Sequence, residues 1–140
     1  VQAEITWKGA VKFEAVSGTG HTVTLDGAPE SGGDNAGMRP MEMVLIGTGG
    51  CSAYDVVHIL KTGREPVDGC VAHLTAERAE EPPRVFTKIA MHFVVSGKGL
   101  SANKVGRAVA LSAEKYCSAS IMLTRGGVEV THTFEVVESP

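Results

Sequence analysis

Between Pro40 and Thr62 the chain is apolar for most of its length, yet it carries Gly47-Thr48-Gly49-Gly50 directly before Cys51. Pro40 suits the first turn of a helix, where its missing N–H costs nothing. Met41, Val44, Leu45 and Ile46 are followed beyond the glycines by Ala53, Tyr54, Val56, Val57, Ile59 and Leu60, and the pattern stops at Lys61-Thr62-Gly63, a basic residue and a glycine that suit a C-terminus. The spacing predicts one long helix over residues 40–62. Its apolar positions occupy most of the circumference, so it should be buried on several sides. Glycine in a helix interior costs roughly 1 kcal/mol relative to alanine, so three in four residues require compensation. One reading is close approach of another helix against the bare backbone. The other is a break at the glycines that leaves Cys51 beside free N–H groups and a positive helix end, which would lower its thiol pKa below the free value of ~8.5. The two readings are compatible.

The flanking segments read as strands. Ile5 and Trp7, then Val11, Phe13 and Ala15, alternate with polar residues as a hairpin over 3–16. His21 to Leu25 is a third strand ending at Asp26-Gly27, and residues 28–39 form a Pro- and Gly-rich loop. Residues 71–76 alternate. Residues 77–84 are charged and contain Pro82-Pro83, a solvated hairpin loop. Phe86 to Val95 is the partner strand, with Ile89, Met91, Phe93 and Val95 on one face. Ser101 is an N-cap for a helix carrying Val105, Ala108, Val109, Ser112 and Tyr116. Residues 117–123 either continue that helix or restart it. Gly126-Gly127 turns the chain into an alternating strand, Val128 to Val136. Strands clustered on both sides of a buried helix indicate an α+β fold in a single domain, residues 1–140.

Composition removes several function classes. With 43% hydrophobic and 21% charged residues the chain has ordinary globular usage, not that of a disordered segment. A net charge of -3 without a Lys/Arg cluster gives no electrostatic footprint for nucleic acid. No uninterrupted apolar run approaches the ~20 residues of a membrane span. No basic n-region followed by an apolar block opens the chain, so a cytoplasmic, reducing environment is expected.

Three cysteines cannot close a disulfide framework. Cys51 shares a helix face with Asp55 and His58, four and seven positions on, a stripe suited to a general-base relay or to half of a metal site. No paired Cys/His ligand set accompanies it, so metal and cofactor are not expected, and Asp55 and His58 are read as hydrogen-bonding to neighbours or facing solvent. Cys117 follows 66 residues later, and Cys70 opens a strand as a small structural residue. His21, His73, His92 and His132 fall in strand patterns and read as satisfied structural histidines. Met38, Met41 and Met43 read as core packing, with a flexible apolar pocket as the alternative.

Two segments together resemble a known family. Pro40-Met41-Glu42-Met43-Val44-Leu45 followed by Gly49-Gly50-Cys51 resembles the surroundings of the reactive cysteine in the OsmC/Ohr family, and Ala113 to Ser120 resembles the surroundings of its second cysteine. The chain is most similar to that family's YhfA-like branch. The resemblance implies an OsmC-like fold, antiparallel sheets around a long central helix and a second helix, assembled as an intertwined homodimer. It also implies a thiol peroxidase acting on organic hydroperoxides in oxidative stress defence. Carried over, Cys51 attacks the peroxide and becomes a sulfenic acid, Cys117 condenses with it to a disulfide, and a dithiol reductant resets the pair. No cofactor, nucleic acid or membrane enters this scheme.

The chain departs from that pattern at three places. The family's acid lies ten positions before the reactive cysteine, where this chain has Met41; Glu42, nine before, is the acid carried into the site. Nine residues of straight helix turn it to the face opposite Cys51 unless the glycines bend the helix. Residues 1–30 hold no Arg, only Lys8 and Lys12, and Arg39 is the nearest in sequence. Ser118 stands where the family often has Pro. These departures keep open a non-catalytic thiol sensor or small-molecule-binding dimer on the same scaffold.

Overall fold

The computed structural model describes every residue from Val1 to Pro140. The chain separates into two compact units, residues 1–44 and 45–140. In the first, β1 (Ala3–Trp7), β2 (Phe13–Ser17) and β3 (Thr22–Leu25) form an antiparallel sheet in the order β1-β2-β3. Register places Ile5 opposite Ala15 and Trp7 opposite Phe13, so one face collects the apolar side chains. Ile5 and Trp7 are nevertheless exposed.

The loop after β3 is organised by one buried carboxylate. Asp26 accepts the backbone N–H groups of Gly27, Asp34 and Ala36 at 2.8, 3.0 and 3.0 Å. The Ala36 N–H leads in holding its pKa below the ordinary carboxylate range, with help from the other two amides and the Lys12 charge. The loop therefore keeps this support above the ordinary carboxylate pKa and loses it as pH falls through the lower, folded value.

The second unit holds most of helix α1 (Pro40–Thr62) and a sheet in the order β4-β5-β6: Val67–Arg78, Phe86–Gly97 and Glu129–Glu138. β4 and β5 are antiparallel, but β6 runs parallel to β5, so this sheet is mixed rather than antiparallel as expected. The crossover is helical, as a parallel pair requires: α2 (Ala102–Leu111), one wide π turn (Ser112–Tyr116) and α3 (Ser118–Arg125). Ile89, Met91, Phe93 and Val95 are buried on one face of β5, as their alternation predicts. Ser101 caps α2, its hydroxyl accepting the Lys104 N–H. His132 departs from the expectation of a satisfied histidine. Its ring stacks on Phe93 at 6.4 Å, its buried Nε2 has no hydrogen-bond partner, and burial lowers its pKa.

Helix α1 runs unbroken through its glycines. Its buried residues form one narrow stripe, Thr48, Gly49, Ser52, Val56 and Leu60, rather than several buried sides. Val44, Ile46 and Tyr54 are exposed, and none of Met38, Met41 and Met43 reaches the core. The close approach at Gly49 comes from a strand, not a helix: a Cβ built there would stand 2.7 Å from Leu74 Cδ1 of β4. Gly47 and Gly50 meet nothing comparable. Although no uninterrupted apolar run is long, α1 is long and apolar enough to cross a membrane, with a mean hydropathy of 1.4 over an 18-residue window. Thr and Ser positions interrupt the runs without lowering the average enough. The helix also contains Asp55, a carboxylate costly in hydrocarbon.

Gly49→Val is expected to destabilise the fold by about 1–3 kcal/mol in urea titration, the usual cost of overpacking. Combined with Leu74→Ala, the loss should be smaller than the sum of the two single losses.

Candidate functional site

Cys51 lies in the middle of α1 and is half-buried. The unbroken helix leaves it no free helix end, so the expected break is not the device that presents it. Cys117 takes the position that the sequence suggested for Cys51. The π turn lets the Cys117 N–H reach back five residues to the Ser112 carbonyl at 2.9 Å. Cys117 then turns extended (φ -74, ψ 100) and caps α3, its Sγ accepting the Ser120 N–H at 3.4 Å. The helix therefore restarts at Ser118 rather than continuing.

Cys117 is fully buried, and burial pushes its thiol above the ordinary range. The Ser120 side chain and amide pull it down, while Cys51 pushes it up again through a hydrogen-bond and charge interaction. The segments that carry the two thiols, 66 residues apart in sequence, meet at the Ser52 and Ser112 hydroxyls, and both thiols are free. Cys70 is half-buried on β4 opposite Val95, and burial raises its thiol as well.

Beside the thiols, α1 and the π turn share polar groups that sequence reasoning did not connect. Ser52 Oγ and Ser112 Oγ are 3.0 Å apart, and both residues are completely buried. Ser112 Oγ donates to Asp55 Oδ2 at 3.1 Å. A carboxylate only accepts, so Ser52 supplies the proton for its bond to Ser112. The sequence signal was the Cys51-Ser52 pair with Asp55 one turn on, but nothing in the sequence indicated Ser112 as the partner. His58, the third residue of that stripe, stacks on exposed Tyr54 at 5.8 Å.

Glu42 serves the start of α1. Its Oε1 accepts the Arg39 backbone N–H at 2.9 Å, and the Arg39 carbonyl accepts the Met43 N–H. An acid three positions after the residue preceding the helix is a capping signal legible in the sequence. The Arg39 guanidinium donates to Asn35 Oδ1 at 2.8 Å and to the Gly37 carbonyl at 3.1 Å, which ties it to the loop preceding α1. No group of three His, Cys, Asp or Glu residues is placed to hold a metal ion. An apolar cavity of about 410 Å³ opens along α1, lined by Leu45, Ile46, Gly49, Gly50 and Ala53 with Ala72 and Leu74 of β4.

Comparison with known proteins agrees with this fold. The sequence profile of the family described as OsmC-like protein matches residues 32–133. Protein YhfA of Escherichia coli K12 is 50% identical over 137 residues, covering 98% of each chain. A solved structure of a hypothetical protein from Aquifex aeolicus VF5 shares 28% identity at a TM-score of 0.85, over 99% of this chain and 97% of the other. The organic hydroperoxide resistance protein OhrB of Bacillus subtilis has the same fold at 23% identity and a TM-score of 0.63, over 96% of this chain and 98% of its own. With the profile spanning most of its length and a relative of 50% identity across nearly all of it, the chain belongs to the OsmC-like protein family.

Proposed function

We propose that this protein is a thiol-dependent peroxidase that reduces organic hydroperoxides through Cys51 and Cys117. The observation that carries the reading is an asymmetric thiol pair on neighbouring segments: half-buried Cys51, and completely buried Cys117 on the turn that Ser112 ties to Ser52 and Asp55 of the Cys51 helix. The first is the more open of the two to an incoming peroxide, and the second is held in reserve. The Cys51 thiolate attacks the distal peroxide oxygen; the O–O bond breaks and the alcohol leaves with a proton, so sulfur is oxidised and peroxide reduced. Cys117 sulfur then attacks the sulfenic sulfur; the S–S bond forms, and hydroxide departs as water with the Cys117 proton. An external dithiol returns both thiols by exchange. The apolar cavity along α1 is lined by neither thiol, so it is not assigned to the substrate.

A specific observation favours a second reading. Glu42 and Arg39, the acid and the base nearest to the family's pattern, are both engaged with the segment that begins α1. With that acid and that cation engaged at the start of the helix, the same pair serves as a slow redox sensor or a small-molecule-binding dimer. In either reading the molecule is a cytoplasmic homodimer that needs no cofactor, nucleic acid or membrane. Support for the dimer is the exposed apolar set Ile5, Trp7, Ile46 and Tyr54.

The wild type is expected to consume cumene hydroperoxide with a dithiol reductant, and Cys51→Ser to lose at least about a hundredfold in rate, as removal of a nucleophile does. Equal rates in two equally folded proteins would reject the peroxidase; a slow, stoichiometric oxidation would favour the sensor. Closure of the disulfide should accelerate with pH by about tenfold per unit below the raised Cys117 pKa, because only the thiolate attacks. Stopped-flow fluorescence after a single equivalent of peroxide reads this step. Sedimentation equilibrium should give twice the chain mass, and a monomer would exclude the dimer.

A further inference from the structure

The buried hydroxyl pair between α1 and the π turn has a use beyond packing. Ser52 is the residue after Cys51, and Asp55 lies one turn beyond on the same helix. Ser112 opens the π turn, and its carbonyl takes the Cys117 N–H. The chain of bonds from Ser52 to Ser112 to Asp55 therefore joins the turn that carries Cys51 to the turn that carries Cys117. Both hydroxyl-bearing residues are fully buried, so neither finds a replacement partner in water if the bond is lost. A π turn is a locally uncommon backbone that persists where its surroundings hold it. Here the surroundings include a carboxylate anchored on the opposing helix.

We infer that Asp55 and Ser112 are positioning residues that hold the π turn against α1 and thereby set the distance between the Cys51 and Cys117 sulfurs. The consequence is kinetic as well as structural. A sulfenic acid on Cys51 has two fates: attack by Cys117, which releases water and closes the disulfide, or a second peroxide, which carries the sulfur to sulfinic acid. Tight placement of Cys117 favours the first. Asp55 thus protects the reactive thiol from irreversible oxidation without touching the peroxide. The kinetic consequence rests on the two-thiol peroxidase reading; the positioning itself does not.

The test separates the two. Equilibration of the full chain with oxidised and reduced dithiothreitol reads the effective concentration of Cys51 toward Cys117 with no hydroperoxide present. Asp55→Ala is expected to lower it by about tenfold, the factor for one lost hydrogen bond to a charged group, and Ser112→Ala, which removes the bonds to both Ser52 and Asp55, by at least as much. Asp55→Asn keeps an acceptor oxygen and should remain close to wild type. Ile89→Val, a core substitution in β5, lowers thermal stability without touching the π turn and should leave the value unchanged. Under cumene hydroperoxide, Asp55→Ala should accumulate more sulfinic acid at Cys51 by mass spectrometry. An unchanged effective concentration in folded Asp55→Ala overturns the positioning role, as does a wild type that forms no Cys51–Cys117 disulfide in the dithiothreitol buffer. A wild type that closes the disulfide there but does not react with hydroperoxide overturns the peroxidase alone.

Discussion

A missing side chain governs the second unit. Gly49 has no Cβ, and the space that a Cβ would take lies 2.7 Å from Leu74 Cδ1. The bare backbone brings α1 against β4 more closely than any other residue would permit. One turn later the same stripe presents Ser52 to Ser112. Small residues at the front of the stripe and larger ones, Val56 and Leu60, at the back let the helix sit low where Ser52 meets Ser112 and still contribute to a core. Glycine's cost to helix propensity is offset here by contact.

That placement changes how thiol chemistry is divided between the cysteines. A mid-helix cysteine has its N–H committed to the helix and gains nothing from a dipole end. A capping cysteine receives an amide N–H on its sulfur, as Cys117 does from Ser120. Burial outweighs that bond and keeps the Cys117 thiol raised. The pair therefore combines a half-buried cysteine within a helix with a fully buried one in a hydrogen-bonded turn. Such a division suits a first oxidation at one sulfur and resolution by the other.

Much of the fold was legible from periodicity. The period-2 runs at β2, β5 and β6 and the length of α1 came from hydrophobic alternation and capping chemistry, which are local. β4 (Val67–Arg78) begins before and ends after the predicted 71–76, by four and two residues, because pairing with β5 stabilises positions that lack alternation of their own. The parallel direction of β6 was not legible, since antiparallel and parallel strands share the same alternation. His132 fits its strand pattern, yet its unpartnered nitrogen depends on what the helical crossover covers, and no local signal carries that.

The amino-acid sequence alone determined the elements, the two cysteine-bearing segments and the family, since each is written in residue types at short spacing. Only the tertiary structure decided that Gly49 receives a strand and that Cys117 rather than Cys51 holds a helix end. It also brought Asp55 and Ser112, 57 residues apart, to one hydrogen bond. The physical reason is range. Propensity, capping and periodicity act over a few residues, whereas a wide turn, a bare contact and a shared proton depend on what the rest of the chain presses against them.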